Sequence, residues 1–184
     1  MRVGGGHSKG AGFERKTCER LSLWITDGQK RDCFWRSAMS GGRSTVALKR
    51  GQTLSHQAGD ICSVAPEGHI LTDVLFFELK HYRNIRLESF IISGKGPLAG
   101  WWKQACKQAK EHGREPVLIA KQNNMPILVF THPKSMFNRW PVAHLAGCDI
   151  GLLDRILKEK FVPPTQIKKR TVLVFPGDPD LELH

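Results

Sequence analysis

The residue types best suited to chemistry gather in one short stretch, Val74-Leu75-Phe76-Phe77-Glu78-Leu79-Lys80. Read as a strand, its side chains alternate, so Phe76, Glu78 and Lys80 share one face while Leu75, Phe77 and Leu79 share the other. A run this rich in Leu and Phe belongs in a sheet interior, where a carboxylate and an ammonium are costly unless they pair or hold an ion. Local rules broken in this way mark functional sites. The spacing by itself is weak, since Glu14-Arg15-Lys16 repeats it on a predicted helix; the strand context carries the weight. Asp60 opens the preceding predicted strand after Gly59 and supplies a second carboxylate. Asp73 is a rival, but its odd separation from Glu78 puts it on the opposite strand face. Two carboxylates and a lysine suit metal-assisted phosphodiester hydrolysis. Hard oxygen ligands from Asp60 and Glu78 hold Mg²⁺, which polarises the phosphate and helps generate hydroxide. Lys80 orients the attacking water and offsets charge on the phosphoryl oxygens. The plainer alternative is an ion pair between Glu78 and Lys80 near a strand end.

These residues need elements to position them. Phe13, Thr17, Leu21 and Trp24 recur at helical spacing, which predicts a helix over 13–25 that stops at Asp27-Gly28. The Gly-rich segment before it reads as a flexible arm, residues 1–12. Strands are predicted over 61–65 and 69–82, with Pro66-Glu67-Gly68 as the turn. A hairpin centred near Glu67 pairs Asp60 with about Val74, so a bend or bulge must bring Asp60 level with Glu78. Residues 84–97 read as loop. A helix is predicted over 101–112, with Gly113 as its cap. Strands over 116–121 and 125–131 join at Asn123-Asn124. A helix over 151–161 and a strand over 171–175 follow, and Asp178, Asp180 and Glu182 make an acidic tail over 177–184. The expected fold is α/β: a mixed central β-sheet flanked by helices, in the order α-β-β-β-α-β, forming one domain over 13–176.

Composition bounds the partners. The 184 residues suffice for one core without disulfides. Lys plus Arg is 28 against 17 for Asp plus Glu, a net charge of +11, which points to a polyanion: nucleic acid ahead of an anionic membrane. No apolar run is long enough to span a bilayer, and the polar N-terminus does not read as a secretory signal, so an intracellular place (cytoplasm or nucleoid) is expected. The 5 cysteines form no C-x-x-C pair and read as free, mostly buried thiols. Lys103, Lys107 and Lys110 fall on one face of the helix from Trp101 and are candidates for phosphate contact. Arg36, Arg43 and Ser44 are candidates for the nucleic-acid backbone. Trp101 could stack on a base or branch-point ring; Trp102 reads as core.

With Gly59-Asp60 as a first acidic motif and Glu78-Leu79-Lys80 as a second, the sequence resembles the PD-(D/E)XK nuclease superfamily. Within it, the archaeal-type Holliday-junction resolvases and related small phage or prophage nucleases look most similar. They share a glycine-rich start with an early glutamate, here Gly10-Ala11-Gly12-Phe13-Glu14, and an Arg/Ser/Gly-rich segment before the first acid, here 36–44. The resemblance covers about residues 9 to 130. It implies a restriction-endonuclease-like core, DNA as partner, branched or structured DNA as substrate, a homodimer, and Mg²⁺ (Mn²⁺ able to substitute) with no small-molecule cofactor. It also implies Glu14 as an auxiliary acid and a polar residue of the Trp101 helix, Gln104 or Gln108, facing the site. Two departures stand out: Gly rather than Pro before Asp60, and a long stretch between Glu14 and Asp60. The alternatives are a non-catalytic nucleic-acid-binding protein that kept the fold, or a nuclease of the same fold acting on duplex DNA or RNA.

Overall fold

The computed structural model describes residues 5–37 and 59–163. Helix α1 (Gly5–Ile25) starts well before Phe13 and includes Gly10 and Gly12, which the sequence assigns to an arm. Phe13, Thr17, Cys18, Leu21 and Ser22 are buried along it. Its interior hydroxyls are satisfied locally: Thr17 Oγ1 donates to the Phe13 carbonyl at 2.9 Å and Ser22 Oγ to that of Cys18 at 2.8 Å. Ser22 Oγ also accepts the Cys33 N–H at 3.0 Å, which ties α1 to the start of β1 (Phe34–Arg36). Strand β1 pairs antiparallel with β2 (Ile61–Ser63), with Arg36 opposite Ile61.

The predicted strand over 69–82 divides in two. A 3₁₀ turn (Pro66–Gly68) and a short helix α2 (His69–Thr72) precede β3 (Leu75–Tyr82). Apolar runs do not distinguish a buried helical turn from a strand, and Gly68 settles the matter by packing. A Cβ there would stand 2.7 Å from the Cys33 carbonyl oxygen and 2.8 Å from Ser63 Cβ, so the chain folds tightly against the β1–β2 pair. Asp60 and Glu78 are therefore not joined by a hairpin, and the offset that a turn near Glu67 would impose does not arise.

The segment expected as loop contains α3 (Leu87–Ser93), anchored by buried Phe90 and closed by Gly94 at φ +63°. Helix α4 (Pro97–Glu111) begins at Pro97 rather than Trp101; Gly113, just beyond it, takes φ +64° as a helix-ending glycine does. Strands β4 (Glu115–Gln122) and β5 (Ile127–Thr131) form the expected antiparallel pair, with Asn124 at φ +59° in the turn. The helix expected over 151–161 reduces to α5 (Leu153–Ile156), because Gly151 belongs to β7 (Cys148–Leu152). The Asn138 side chain lies against Gly151 where a Cβ would be, which only glycine permits. Strand β6 (Ala143–Leu145) pairs with β7 at the sheet edge. The strand expected over 171–175 and the acidic tail lie outside the described residues.

The five-stranded sheet has the order β3-β4-β5-β7-β6. Strands β3 and β4 are parallel and the other pairs antiparallel, as the expected mixed sheet requires. Alternation splits the core between its faces. Phe77, Leu79, Val117, Ile119 and Val129 pack with Phe13, Cys18 and Leu21 of α1. Leu118, Ala120, Phe130 and Ile150 pack with Leu98, Trp102 and Ala105 of α4. The cysteines are free, as expected, and burial pushes the Cys18 thiol up to about 12 and the Cys148 thiol up to about 11, leaving both as inert thiols at neutral pH.

Candidate active site

Glu78 and Lys80 stand on the α4 face of β3, the side of the sheet that strand alternation gives to even-numbered residues. Glu78 is 7% exposed, and the Lys80 ammonium forms a short ion pair with its carboxylate. Asp60, 8% exposed, arrives at the free edge of β3 by backbone pairing. Its N–H donates to the Phe77 carbonyl at 2.8 Å, and its carboxylate Oδ2 accepts the Leu79 N–H at 2.7 Å. The Asp60 side chain thus takes the place a neighbouring strand's carbonyl would occupy, which fixes it beside Glu78 and Lys80.

Gly59 makes that approach possible. It has φ +88°, and a Cβ on it would lie 2.7 Å from the Phe77 carbonyl oxygen and 3.3 Å from the Phe77 nitrogen. The glycine before the first acid is therefore a packing requirement of this chain. Asp73 ends α2 and pairs with His69 at 3.3 Å; it is not in the strand.

Two buried carboxylates so close repel each other. Burial first, and Glu78 second, push the Asp60 carboxyl up to about 7, against the opposing pull of the Leu79 N–H and the Lys80 charge. For Lys80, burial disfavours the ammonium, but the Glu78 carboxylate and then Asp60 outweigh it and raise its pKa, so the lysine is charged. The Asp60–Glu78 pair offers what a hard divalent cation takes, oxygen donors from two carboxyls beside a single positive charge, Lys80. Among the described residues no third His, Cys, Asp or Glu gathers with them as a metal cluster. Water and a phosphate oxygen would complete the shell, as is usual for Mg²⁺.

Glu14 and Arg36 flank this centre. Arg36 Nε donates to Glu14 Oε2 at 2.7 Å, and Arg36 ends β1 opposite Ile61, next to Asp60 in the chain. The Glu14 charge reaches Asp60 and adds to the rise of its pKa.

A model of the family described as "Phage putative PDDEXK endonuclease" matches residues 5–151. The chain belongs to that family. It is a phage-type member of the PD-(D/E)XK nuclease superfamily, with the restriction-endonuclease-like fold. No curated protein and no solved structure matches the chain. The matched span includes Glu14, Asp60, Glu78, Lys80 and α4. PD-(D/E)XK nucleases generally use divalent metal ions, in keeping with the paired carboxylates.

Other expected residues fall differently around this candidate site. Gln104 is exposed, whereas Gln108 is partly buried and its Oε1 is buried without a hydrogen-bond partner. The flank of α4 that meets β3 is marked by two ring contacts, Trp101 on Tyr82 and His112 on Phe76. Glu78 and Lys80 lie between these contacts on the strand, and Gln108 lies between them on the helix. Of the two glutamines, Gln108 is the one partly buried on the helix flank that carries the two ring contacts with β3. Lys103, Lys107 and Lys110 are exposed, about half a helical turn from the Trp101–Gln108 flank. Arg43 and Ser44 lie outside the described residues. Among the described residues, no helix is long and apolar enough to cross a membrane.

Proposed function

We propose that the chain is a divalent-metal-dependent DNA endonuclease with Mg²⁺ as the working ion, Mn²⁺ able to replace it, and branched or otherwise structured DNA as substrate. The observation that carries this reading is the convergence of Asp60, Glu78 and Lys80, with Asp60 held against β3 by the Leu79 N–H. Asp60 and Glu78 hold the ion, which when bound supplies Lewis-acid activation of the scissile phosphate and of water. Lys80 has two roles: its ammonium orients the attacking water, then balances negative charge on the non-bridging oxygens as the P–O bond to the leaving oxygen breaks. Arg36 holds Glu14 beside the centre, where Glu14 acts as an auxiliary acid through water. Gln108 takes the helix position for which the sequence offers Gln104 or Gln108. Arg36, Arg43, Ser44, Lys103, Lys107 and Lys110 supply contacts to the DNA backbone.

The preference for branched DNA and the homodimer, which would bring two sites to two strands, rest on the resemblance to junction resolvases. The test is a panel of four-way junction, flap, duplex, single-stranded DNA and RNA, incubated with Mg²⁺. Junction or flap cleavage above duplex cleavage supports the reading. Cleavage of duplex or RNA alone moves the substrate, and metal-independent binding without cleavage of any member returns the chain to a non-catalytic binder.

A further inference from the structure

The face of β3 that carries Glu78 and Lys80 continues to Tyr82, the next residue in alternation and about 6.8 Å further along the strand from Lys80. Tyr82 is 50% exposed. Trp101 of α4 lies on it with ring centroids 4.7 Å apart and planes 20° apart, a stacked pair at the protein surface. The adjacent Trp102 is more deeply buried, 9% exposed, and meets the exposed His132 edge-on. Trp101 packs against the core on the α4 side while staying partly exposed, so the Tyr82–Trp101 stack carries that core out to the surface. The chain between the two rings carries exposed Arg83, Arg86 and Lys95 against one exposed carboxylate, Glu88. An exposed aromatic stack on the strand face of a phosphodiester-cleaving centre, its two rings joined by a segment with three exposed cations, suits one ligand chemistry: a nucleobase with its phosphates.

The geometry points to the Tyr82–Trp101 pair as a stacking platform for an unpaired DNA base next to the scissile phosphate. This assignment rests on the nuclease reading of Glu78 and Lys80 for where the scissile phosphate lies. In an intact duplex both faces of each interior base are already stacked on neighbours, so a protein ring can take only a base that has left the stack. The platform would then select DNA with a single-stranded segment at the site, such as a fork, a flap or an opened junction arm. The alternative ligand for the same surface, an apolar protein partner, would show no dependence on bases.

The test is equilibrium binding of the full chain in EDTA to three DNAs of equal length: a fork, the same fork with abasic positions in place of the unpaired bases next to the branch, and a blunt duplex. The wild type should prefer the intact fork to the abasic fork by about fivefold or more, the size of losing one stacked base. The Tyr82→Leu/Trp101→Leu double variant should bind both forks alike and bind the duplex as the wild type does. Tyr82→Phe, which keeps the ring, should retain the preference. Equal binding of the two forks by the wild type, or a preference that persists in the double variant, overturns the platform. Because binding is read without metal, an absence of cleavage would sink the nuclease reading and leave this result standing. Conversely, normal cleavage with no abasic penalty would sink the platform alone.

Discussion

Asp60 is where the cost of burial and the proposed metal-binding role meet at the scale of single residues. Its carboxyl is raised to about 7 in the folded chain by burial and by Glu78, from an ordinary value near 3.8. A group raised on folding binds its proton more tightly in the native state, so its stabilising contribution is complete below about pH 3.8 and is lost as the pH rises to about 7. Asp60→Asn keeps an acceptor for the Leu79 N–H and removes the charge. It should stabilise the metal-free protein at pH 8 by on the order of a few kcal/mol, seen as a higher thermal midpoint, and change it little at pH 4. Melting curves at the two pH values check this; a lower midpoint at pH 8 would contradict it. Lys80→Ala should lower single-turnover cleavage by about 10²-fold or more, the size of losing one transition-state donor, with Mg²⁺ affinity little reduced. Normal turnover per folded molecule would make Lys80 a partner of Glu78 and nothing else. These residues were legible in the sequence because a carboxylate and an ammonium in an apolar strand break a rule that burial enforces. Gln108 was not singled out, because its difference from Gln104 is a matter of which helix flank meets β3, and that depends on where Tyr82 and Phe76 place their rings.

At the scale of elements, the site depends on how closely the Gly59–Ser63 segment approaches β3. Gly59→Ala would put a Cβ against the Phe77 carbonyl at a φ that L-residues avoid. It should destabilise the fold by about 2 kcal/mol or more, and cleavage by the folded fraction should also fall, since the backbone can relieve the clash only by moving Asp60. Denaturant unfolding and cleavage on one preparation read both effects. Retained stability and activity would show that the segment tolerates the displacement. Helices α1 and α4 and the β4–β5 pair were readable from periodicity and turn residues. The short α2 was not, because His69-Ile70-Leu71-Thr72 reads as the start of the following strand until Gly68 is seen wedged against Cys33 and Ser63. Helix α3 was hidden by its flanks: Arg86 at φ +52° before it and Gly94 after it carry loop chemistry, while only Phe90 of the helix is buried. Gly151 reads as a helix start because Leu152, Leu153 and Ile156 recur at helical spacing; its contact with Asn138, in the segment between β5 and β6, is a tertiary one that the spacing does not show.

The whole molecule carries +11, and its affinity for DNA should fall steeply with salt as Lys and Arg release condensed counterions. Replacing Lys103, Lys107 and Lys110 with Ala should reduce the slope of log affinity against log salt by about 0.9 for each lysine that touches a phosphate. An unchanged slope would place the outer face of α4 outside the interface and leave the site flank, with Arg36, as the electrostatic contact. The fold class and the family were legible at this scale because the acid motifs, the sheet pattern and the basic charge agree with one another. What links them is a single centre, and the most direct test of it is cleavage of a four-way junction by the wild type and by Asp60→Asn, with Mg²⁺ and with EDTA. The account predicts cleavage by the wild type only with the ion, and no cleavage by Asp60→Asn although it binds the junction as tightly or more tightly. Equal cleavage by both proteins, or none by folded wild type on any nucleic acid with Mg²⁺ or Mn²⁺, would contradict it.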